Sequence, residues 1–181
     1  MITKNKLRNE AKEIRKKLNI VDISKRINEK FLSLPEYSNS KNIFCYYSFG
    51  HEVVTHDLFS IKEKNWYIPK IKEKSLEVCL FDKEKLIANK YGIKEQVNPT
   101  CIMPDSIDIA ILPALMADKS GHRLGYGKGY YDRFLNEKCN AFCKIIFIPE
   151  ELLRENLITE KHDCPANIII TQCNIYRINH Q

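Results

Sequence analysis

The sequence lacks any apolar run approaching the roughly 20 residues that a membrane-crossing helix needs. Its opening, Met1-Ile2-Thr3-Lys4-Asn5-Lys6, leads into a charged amphipathic stretch where a secretory leader would place an apolar one. Neither a span nor a secretory signal is therefore expected. Glycine and proline are scarce, 6 and 7 in 181 residues, and 44% of positions are hydrophobic against 29% charged, which argues against disorder and low complexity and for an ordinary globular chain. At this length roughly 70% of the unfolded surface is buried on folding, enough for one domain over residues 1–181 with a full core.

The seven cysteines are odd in number and scattered, with Cys45 and Cys79 inside apolar runs. That pattern predicts free thiols in a reducing compartment, hence a cytoplasmic protein, over a disulfide framework. Cys139 and Cys143 are four apart, a spacing that lets two ligands share a helix face, but no second paired set completes a metal site, so packed or solvated thiols are the simpler reading. The net charge of +6 is compatible with nucleic acid, a membrane surface or small anions. The lysines, Lys12, Lys16, Lys17, Lys62 and Lys64 among them, are spread through charged helix-like segments, so solvated helix faces account for most of the excess. It is permissive for anionic ligands and no more.

Leu7, Ala11, Ile14 and Leu18 recur at helical spacing and predict an amphipathic helix over residues 3–18. A second helix is predicted over 23–34, closed by Pro35, and a third from a Thr55 cap to residue 64. Apolar strands are predicted over 42–49, 66–71, 76–81, 108–115, 142–149 and 167–171, with helices over 130–138 and 150–156 and a loop over 87–105. Helices alternating with continuous apolar strands indicate an α/β sandwich on a mainly parallel sheet. Ligands of such sheets bind beyond the C-terminal ends of the strands, so residues 49–55, the loop after 115 and Pro149 should converge on one cleft.

In that cleft falls Gly121-His122-Arg123-Leu124-Gly125-Tyr126-Gly127-Lys128-Gly129-Tyr130-Tyr131-Asp132-Arg133. Alternating glycines let a ligand approach backbone N–H groups, and a glycine turn between strand and helix is an anion cradle. Arg123, Lys128 and Arg133 add positive charge, and Asp132 offers magnesium a hard oxygen. A polyphosphate suits this loop. It is not a Walker A loop, since His122 and Gly129 stand where a glycine and Ser or Thr are required, and its third glycine comes one residue early for the dinucleotide fingerprint. His51 and His56, five apart, point about 140° apart on a helix and cannot form a zinc-protease pair.

The chain resembles the 5-formyltetrahydrofolate cyclo-ligase family (methenyltetrahydrofolate synthetases) over nearly its whole length. The resemblance rests on Lys4-Asn5-Lys6-Leu7-Arg8, Tyr46-Tyr47-Ser48 leading to Glu52-Val53-Val54-Thr55, Ile68-Pro69-Lys70, Tyr91-Gly92-Ile93-Lys94-Glu95, the stretch from Asp108 to Pro113, the glycine loop, and His162-Asp163. It implies a three-layer α/β/α sandwich and an ATP- and magnesium-dependent ligase. That enzyme would turn 5-formyltetrahydrofolate into 5,10-methenyltetrahydrofolate, with ADP and phosphate, through a phosphorylated formyl (iminium phosphate) group.

By resemblance, Lys4, Asn5, Lys6, Leu7 and Arg8 meet ATP, with Lys4 and Arg8 on one helix face. Arg123, Leu124, Gly125, Tyr126, Gly127, Lys128, Gly129, Tyr130 and Tyr131 wrap its phosphates, Lys128 and Arg123 offsetting charge on the transferring group. Phe49, Glu52 and the 126–130 stretch border the folate, Glu52 accepting from the pterin, and Asp132 and Asp163 hold magnesium. The implied partners are these two small molecules alone, without nucleic acid or membrane, for a monomer.

Plainer readings stand beside these. Lys4 and Arg8 suit a solvated helix, Glu52 a helix N-terminus, Tyr130 or Tyr131 the core, and Asp163 a turn before Pro165. Met116, Ala117 and Gln96 depart from the family pattern and put folate contacts in question. The rivals are a basic RNA-binding module, which needs exposed aromatics among basic residues, and a sugar-phosphate isomerase of similar architecture, which needs no ATP.

Overall fold

The computed structural model describes residues 3–88, 94–138, 141–160 and 163–179, side chains of 137 and 138 excepted. In chain order the elements are α1 (Lys4–Lys16), α2 (Ile20–Leu32), α3 (Pro35–Asn39), β1 (Asn42–Cys45), β2 (Asn65–Lys72), β3 (Ser75–Leu80), β4 (Leu86–Ala88), β5 (Lys94–Gln96), β6 (Cys101–Ile102), β7 (Ile109–Leu112), β8 (Met116–Asp118), β9 (Arg123–Leu124), α4 (Tyr130–Lys138), β10 (Cys143–Phe147), β11 (Leu153–Arg154), β12 (Ile168–Ile170) and β13 (Ile175–Arg177). Eight strands form the main sheet in the order β13-β12-β10-β7-β1-β2-β3-β6. Its centre, β12-β10-β7-β1-β2, is parallel throughout, and the pairs β13-β12, β2-β3 and β3-β6 at the edges are antiparallel.

The period-2 alternation of the central strands builds two cores, one on each face. Phe44, Ala110, Leu112, Ile146 and Ile169 point to one side, where they pack with Ala11 of α1 and Phe134 and Leu135 of α4. Ile43, Ile109, Ile111, Ile145, Phe147, Ile168 and Ile170 point to the other, against Ile23, Ile27 and Phe31 of α2. Both faces are covered, which is why these strands read as continuous apolar runs, and the result is the expected three-layer α/β/α sandwich on a mainly parallel sheet. Asp108 pins the start of β1, accepting from the Lys41 and Asn42 amides at 2.8 Å each.

Several predicted elements end early, for local reasons. The strand expected over 42–49 stops at Cys45: the Thr55 hydroxyl donates to the Tyr46 carbonyl (2.8 Å), while Ser48 and Thr55 bond each other's amides through their side chains. Thr55 is thus spent on this turn and caps nothing, and only a short 3-10 turn, His56–Ser60, follows it. Pro113 interrupts the strand expected over 108–115, and the chain resumes as β8, paired with β9 and β11 in a small second sheet. The helix expected over 150–156 is a 3-10 turn, Glu150–Leu152, leading into β11. The loop expected over 87–105 contains β5 and β6, β5 pairing with β4.

Cys79 and Cys101 are disulfide-bonded, and Cys164 is too; Cys45, Cys143 and Cys173 are free. This overturns the free-thiol expectation for three positions. For Cys79 and Cys101 the cause is register: they are direct partners in the antiparallel β3-β6 ladder, a placement that cysteine counting cannot see. Cys143 lies on a strand, so it has no helix face to share, and Cys139 lies outside the described residues.

Candidate active site

The C-terminal end of the parallel sheet gathers the polar groups. The turn after β1 carries Tyr46, Tyr47, Phe49 and Glu52, Pro113 follows β7, and the glycine loop runs from β9 into α4. Together with Ile68, Pro69, Lys70 and Ile71 of β2 they line a cavity of about 550 Å3, predominantly apolar and aromatic. A second cavity, about 500 Å3 and polar, opens on the other side of the loop and is lined by Asn5, Arg8, Asn9 and Lys12 of α1. Tyr126, Gly127 and Lys128 form a wall common to both.

That wall is braced from beneath. Arg8 donates from Nε to the Gly125 carbonyl (3.0 Å) and from Nη1 to Asn5 Oδ1 (2.6 Å). Gly127 has φ +95° and sits directly over the Arg8 guanidinium; a Cβ there would lie 3.2 Å from Arg8 Cζ. At the far end of the loop, Arg133 donates to the carbonyls of Lys74 (2.6 Å) and Lys128 (3.2 Å). The Gly129 carbonyl accepts from the Arg133 amide (3.1 Å), the first turn of α4.

Inside the larger cavity, Glu52 Oε2 accepts from the Phe49 amide (2.8 Å), and the Tyr126 hydroxyl interacts with the Glu52 carboxyl. Burial raises the Glu52 carboxyl above its ordinary value, against the Phe49 and Tyr126 hydrogen bonds and the Arg15 charge, which lower it. Burial first, and Glu52 second, likewise raise the hydroxyls of Tyr126 and Tyr131. Arg123 is 6% exposed and paired with Asp132 Oδ1 at 2.5 Å. Arg123 Nε and the Tyr131 hydroxyl are buried with no hydrogen-bond partner among the described residues. Both belong to residues lining the cavity, and a polar ligand would satisfy them.

The expected residues divide accordingly. Phe49, Glu52, Arg123, Gly125, Tyr126, Gly127, Lys128, Gly129, Tyr130, Tyr131 and Asp132 line the larger cavity; Asn5 and Arg8 line the smaller. Leu7 and Leu124 instead face the core. Lys4 pairs with Glu160 (2.7 Å) and lies 3.9 Å from Asp163, which itself accepts from the Glu160 amide (2.8 Å). Lys6 lies in the first turn of α1, its amide donating to Thr3. Lys4, Lys6 and Asp163 do not line either cavity. Met116 and Ala117 are fully buried and paired with Leu124 and Arg123 of β9, so that departure reaches neither cavity. Gln96 lines it but is committed to the backbone, accepting from Asp82 N (2.8 Å) and donating to Leu80 O (2.7 Å). His162 and residues 91–93 lie outside the described residues. The sequence reading missed Asn9 and Lys12, although Asn5-Asn9 and Arg8-Lys12 are two i,i+4 pairs on one side of α1.

The profile of the 5-formyltetrahydrofolate cyclo-ligase family matches residues 1–172. The chain belongs to that family. It is 31% identical to the Haemophilus influenzae 5-formyltetrahydrofolate cyclo-ligase over 179 residues, covering 90% of this chain and 94% of that one. It is 36% identical to a probable 5-formyltetrahydrofolate cyclo-ligase of Schizosaccharomyces pombe over 170 residues, 82% and 83% of the two chains. The Aquifex aeolicus 5,10-methenyltetrahydrofolate synthetase structure superposes with a TM-score of 0.87 at 27% identity, covering 99% of this chain and 95% of that one. A Mycoplasma pneumoniae 5,10-methenyltetrahydrofolate synthetase structure, 22% identical, shares the fold with a TM-score of 0.76, over 94% of this chain and 99% of that one. Family membership makes the protein an ATP-dependent ligase and carries the general reaction, conversion of 5-formyltetrahydrofolate to 5,10-methenyltetrahydrofolate. No helix among the described residues is long and apolar enough to cross a membrane.

Proposed function

We propose that the two cavities hold the two substrates, folate in the larger and ATP in the smaller, and that the formyl group is activated by phosphorylation across the wall they share. The observation that carries this reading is the wall itself: Tyr126, Gly127 and Lys128 face an aromatic cavity holding the half-buried Glu52 carboxylate on one side and a basic cavity on the other. Glu52 accepts hydrogen bonds from the pterin N–H groups, and Tyr46, Tyr47, Phe49 and Tyr130 supply apolar contact. Arg8, Lys12 and Lys128 take the phosphates, with Lys4 and Lys6 near the nucleotide at the start of α1.

The formyl oxygen attacks the γ-phosphorus, an O–P bond forms, and the bond to ADP breaks. The nitrogen at the start of the aminobenzoyl arm then attacks the activated carbon. A C–N bond forms, that nitrogen gives up its proton, and the C–O bond breaks with release of phosphate. Lys128 and Arg123 stabilise charge on the transferring group, so catalysis is positioning and electrostatics with no covalent enzyme intermediate. Asp132 suits magnesium: one carboxylate oxygen is held by Arg123, and a hard oxygen beside phosphates is what this ion requires. Asp132, with Asp163 nearer the start of α1, would hold it, and it would neutralise phosphate charge when bound. The same reading takes residues 1–181 as one catalytic domain and the enzyme as a cytoplasmic monomer without nucleic-acid or membrane partners.

The test is formation of the methenyl-folate absorbance band from 5-formyltetrahydrofolate with magnesium, with and without ATP. The band should rise only with ATP, and Lys128→Ala and Asp132→Asn should each slow it about 100-fold or more, the loss typical of one transition-state charge contact. No ATP-dependent rise from folded protein, or full rates from both variants, would refute the assignment.

A further inference from the structure

Arg15 is a cation in a place where cations are rarely found. Its side chain follows Leu7 and Ala11 along the inner stripe of α1, and the residue is 3% exposed. Its Nη1 donates to the His51 carbonyl (2.8 Å) and its Nη2 to the Ala114 carbonyl (2.6 Å). Nε is buried and has no partner among the described residues. His51 belongs to the turn after β1, next to Glu52, and Ala114 follows Pro113 at the end of β7. One guanidinium thus ties α1, whose outer residues line the basic cavity, to both strand ends that line the aromatic one. A salt bridge would balance this charge more simply; two carbonyls fix position but leave the charge free to act on its surroundings.

We propose that Arg15 is a positioning residue for the cyclo-ligase reaction, holding the turn that carries Glu52 and supplying positive charge close to that carboxylate. The proposal rests on the reading of Glu52 as the group that accepts from the pterin. The titratable groups that interact electrostatically with Glu52 are Arg15 from α1, Cys45 and Tyr46 from the end of β1, Tyr126 from the glycine loop and Tyr131 from α4. Only Arg15 among them carries positive charge. Burial works against the carboxylate form of Glu52 and Arg15 works for it, so removal of the charge moves Glu52 further up.

The experiment compares Arg15→Gln, Arg15→Lys and Glu52→Gln with the wild type, measuring kcat and both KM values across pH. Arg15→Gln keeps one donor and loses the charge. Its acid limb in kcat/KM for formyl-folate should move to higher pH, with KM for formyl-folate raised about 10-fold and KM for ATP within about twofold. Arg15→Lys keeps the charge and loses the fork, so its limb should stay at the wild-type pH while KM for formyl-folate rises about threefold. A folded Arg15→Gln enzyme with an unmoved acid limb overturns the proposal. Should Arg15→Gln fail to fold, an unchanged KM for formyl-folate in Arg15→Lys overturns it instead. Glu52→Gln separates the two layers: it should abolish the acid limb and raise KM for formyl-folate. If it does neither, the reading of Glu52 fails and the role of Arg15 goes with it. If Glu52→Gln behaves as expected while Arg15→Gln leaves the limb in place, only the Arg15 assignment is wrong.

Discussion

Gly127→Ala tests whether the wall between the cavities is braced by Arg8. The backbone at Gly127 has φ +95°, a conformation costing an L-residue about 1–2 kcal/mol. The added Cβ would also lie 3.2 Å from Arg8 Cζ and 3.4 Å from Nε and Nη2. Arg8 cannot yield freely, because its Nε is held by Gly125 and its Nη1 by Asn5. Displacing it weakens a hydrogen bond from a charged donor, and the partly exposed setting limits that loss to about 1 kcal/mol. The sum is about 2–3 kcal/mol, which for a chain of this size lowers Tm by about 4–12 °C. The displaced guanidinium also leaves the basic cavity misaligned, so KM for ATP should rise about 10-fold, while KM for formyl-folate changes less.

Gly50→Ala is the matched control. Gly50 also has positive φ, +61°, but nothing lies within 4 Å of the place its Cβ would take, so only the backbone cost of about 1 kcal/mol applies. Thermal denaturation and initial rates on the two variants measure the difference. If Gly127→Ala loses no more stability than Gly50→Ala and binds ATP as the wild type does, the contact with Arg8 does not hold the loop.

Two further outcomes follow from the same structure. Gly121 has φ +93°, and a Cβ there would stand 2.7 Å from the Ala166 carbonyl oxygen and 3.1 Å from its nitrogen, backbone atoms that cannot rotate away. Gly121→Ala should therefore destabilise by about 3 kcal/mol or more, backbone strain plus overpacking, and a Tm equal to that of Gly127→Ala would contradict this ordering. Glu52 ionises above its ordinary 4.5 in the folded state, so its neutral form favours folding and that contribution is lost as pH rises from about 4.5 through the folded value. Glu52→Gln, which escapes this loss, should gain Tm relative to the wild type on going from pH 4 to pH 8; a Tm difference constant across that range would show that Glu52 carries no burial penalty.

The layers of the fold were legible because the central strands are buried on both faces. Residues 43–45, 109–112, 145–147 and 168–170 are apolar at every position, which is the signature of a covered parallel sheet. The edges were not legible. β13 is Ile-Tyr-Arg with one half-covered face, and β6 is two residues long; each is a strand only because a neighbour offers a ladder. The helix expected after Thr55 failed for a related reason. A threonine at the head of a helix-like stretch reads as a cap, but its hydroxyl here serves a tertiary bond to Tyr46, and local preference cannot weigh that competitor.

At the site, the glycine loop was legible because alternating glycines with basic and aromatic residues have little other use. The residues of α1 were only half legible. Their stripe, Leu7, Ala11, Ile14 and Leu18, is read at once by its period. Yet Arg15 stands four residues after Ala11, on the same buried side, and a cation in that register is itself a signal. A solvated arginine has no reason to fall on the apolar stripe of a short helix, whereas one that must reach two strand ends beneath the larger cavity has to fall there. Periodicity therefore carries functional information where it is broken: the residue that violates the pattern of α1 is the one that ties the helix to the turn carrying Glu52.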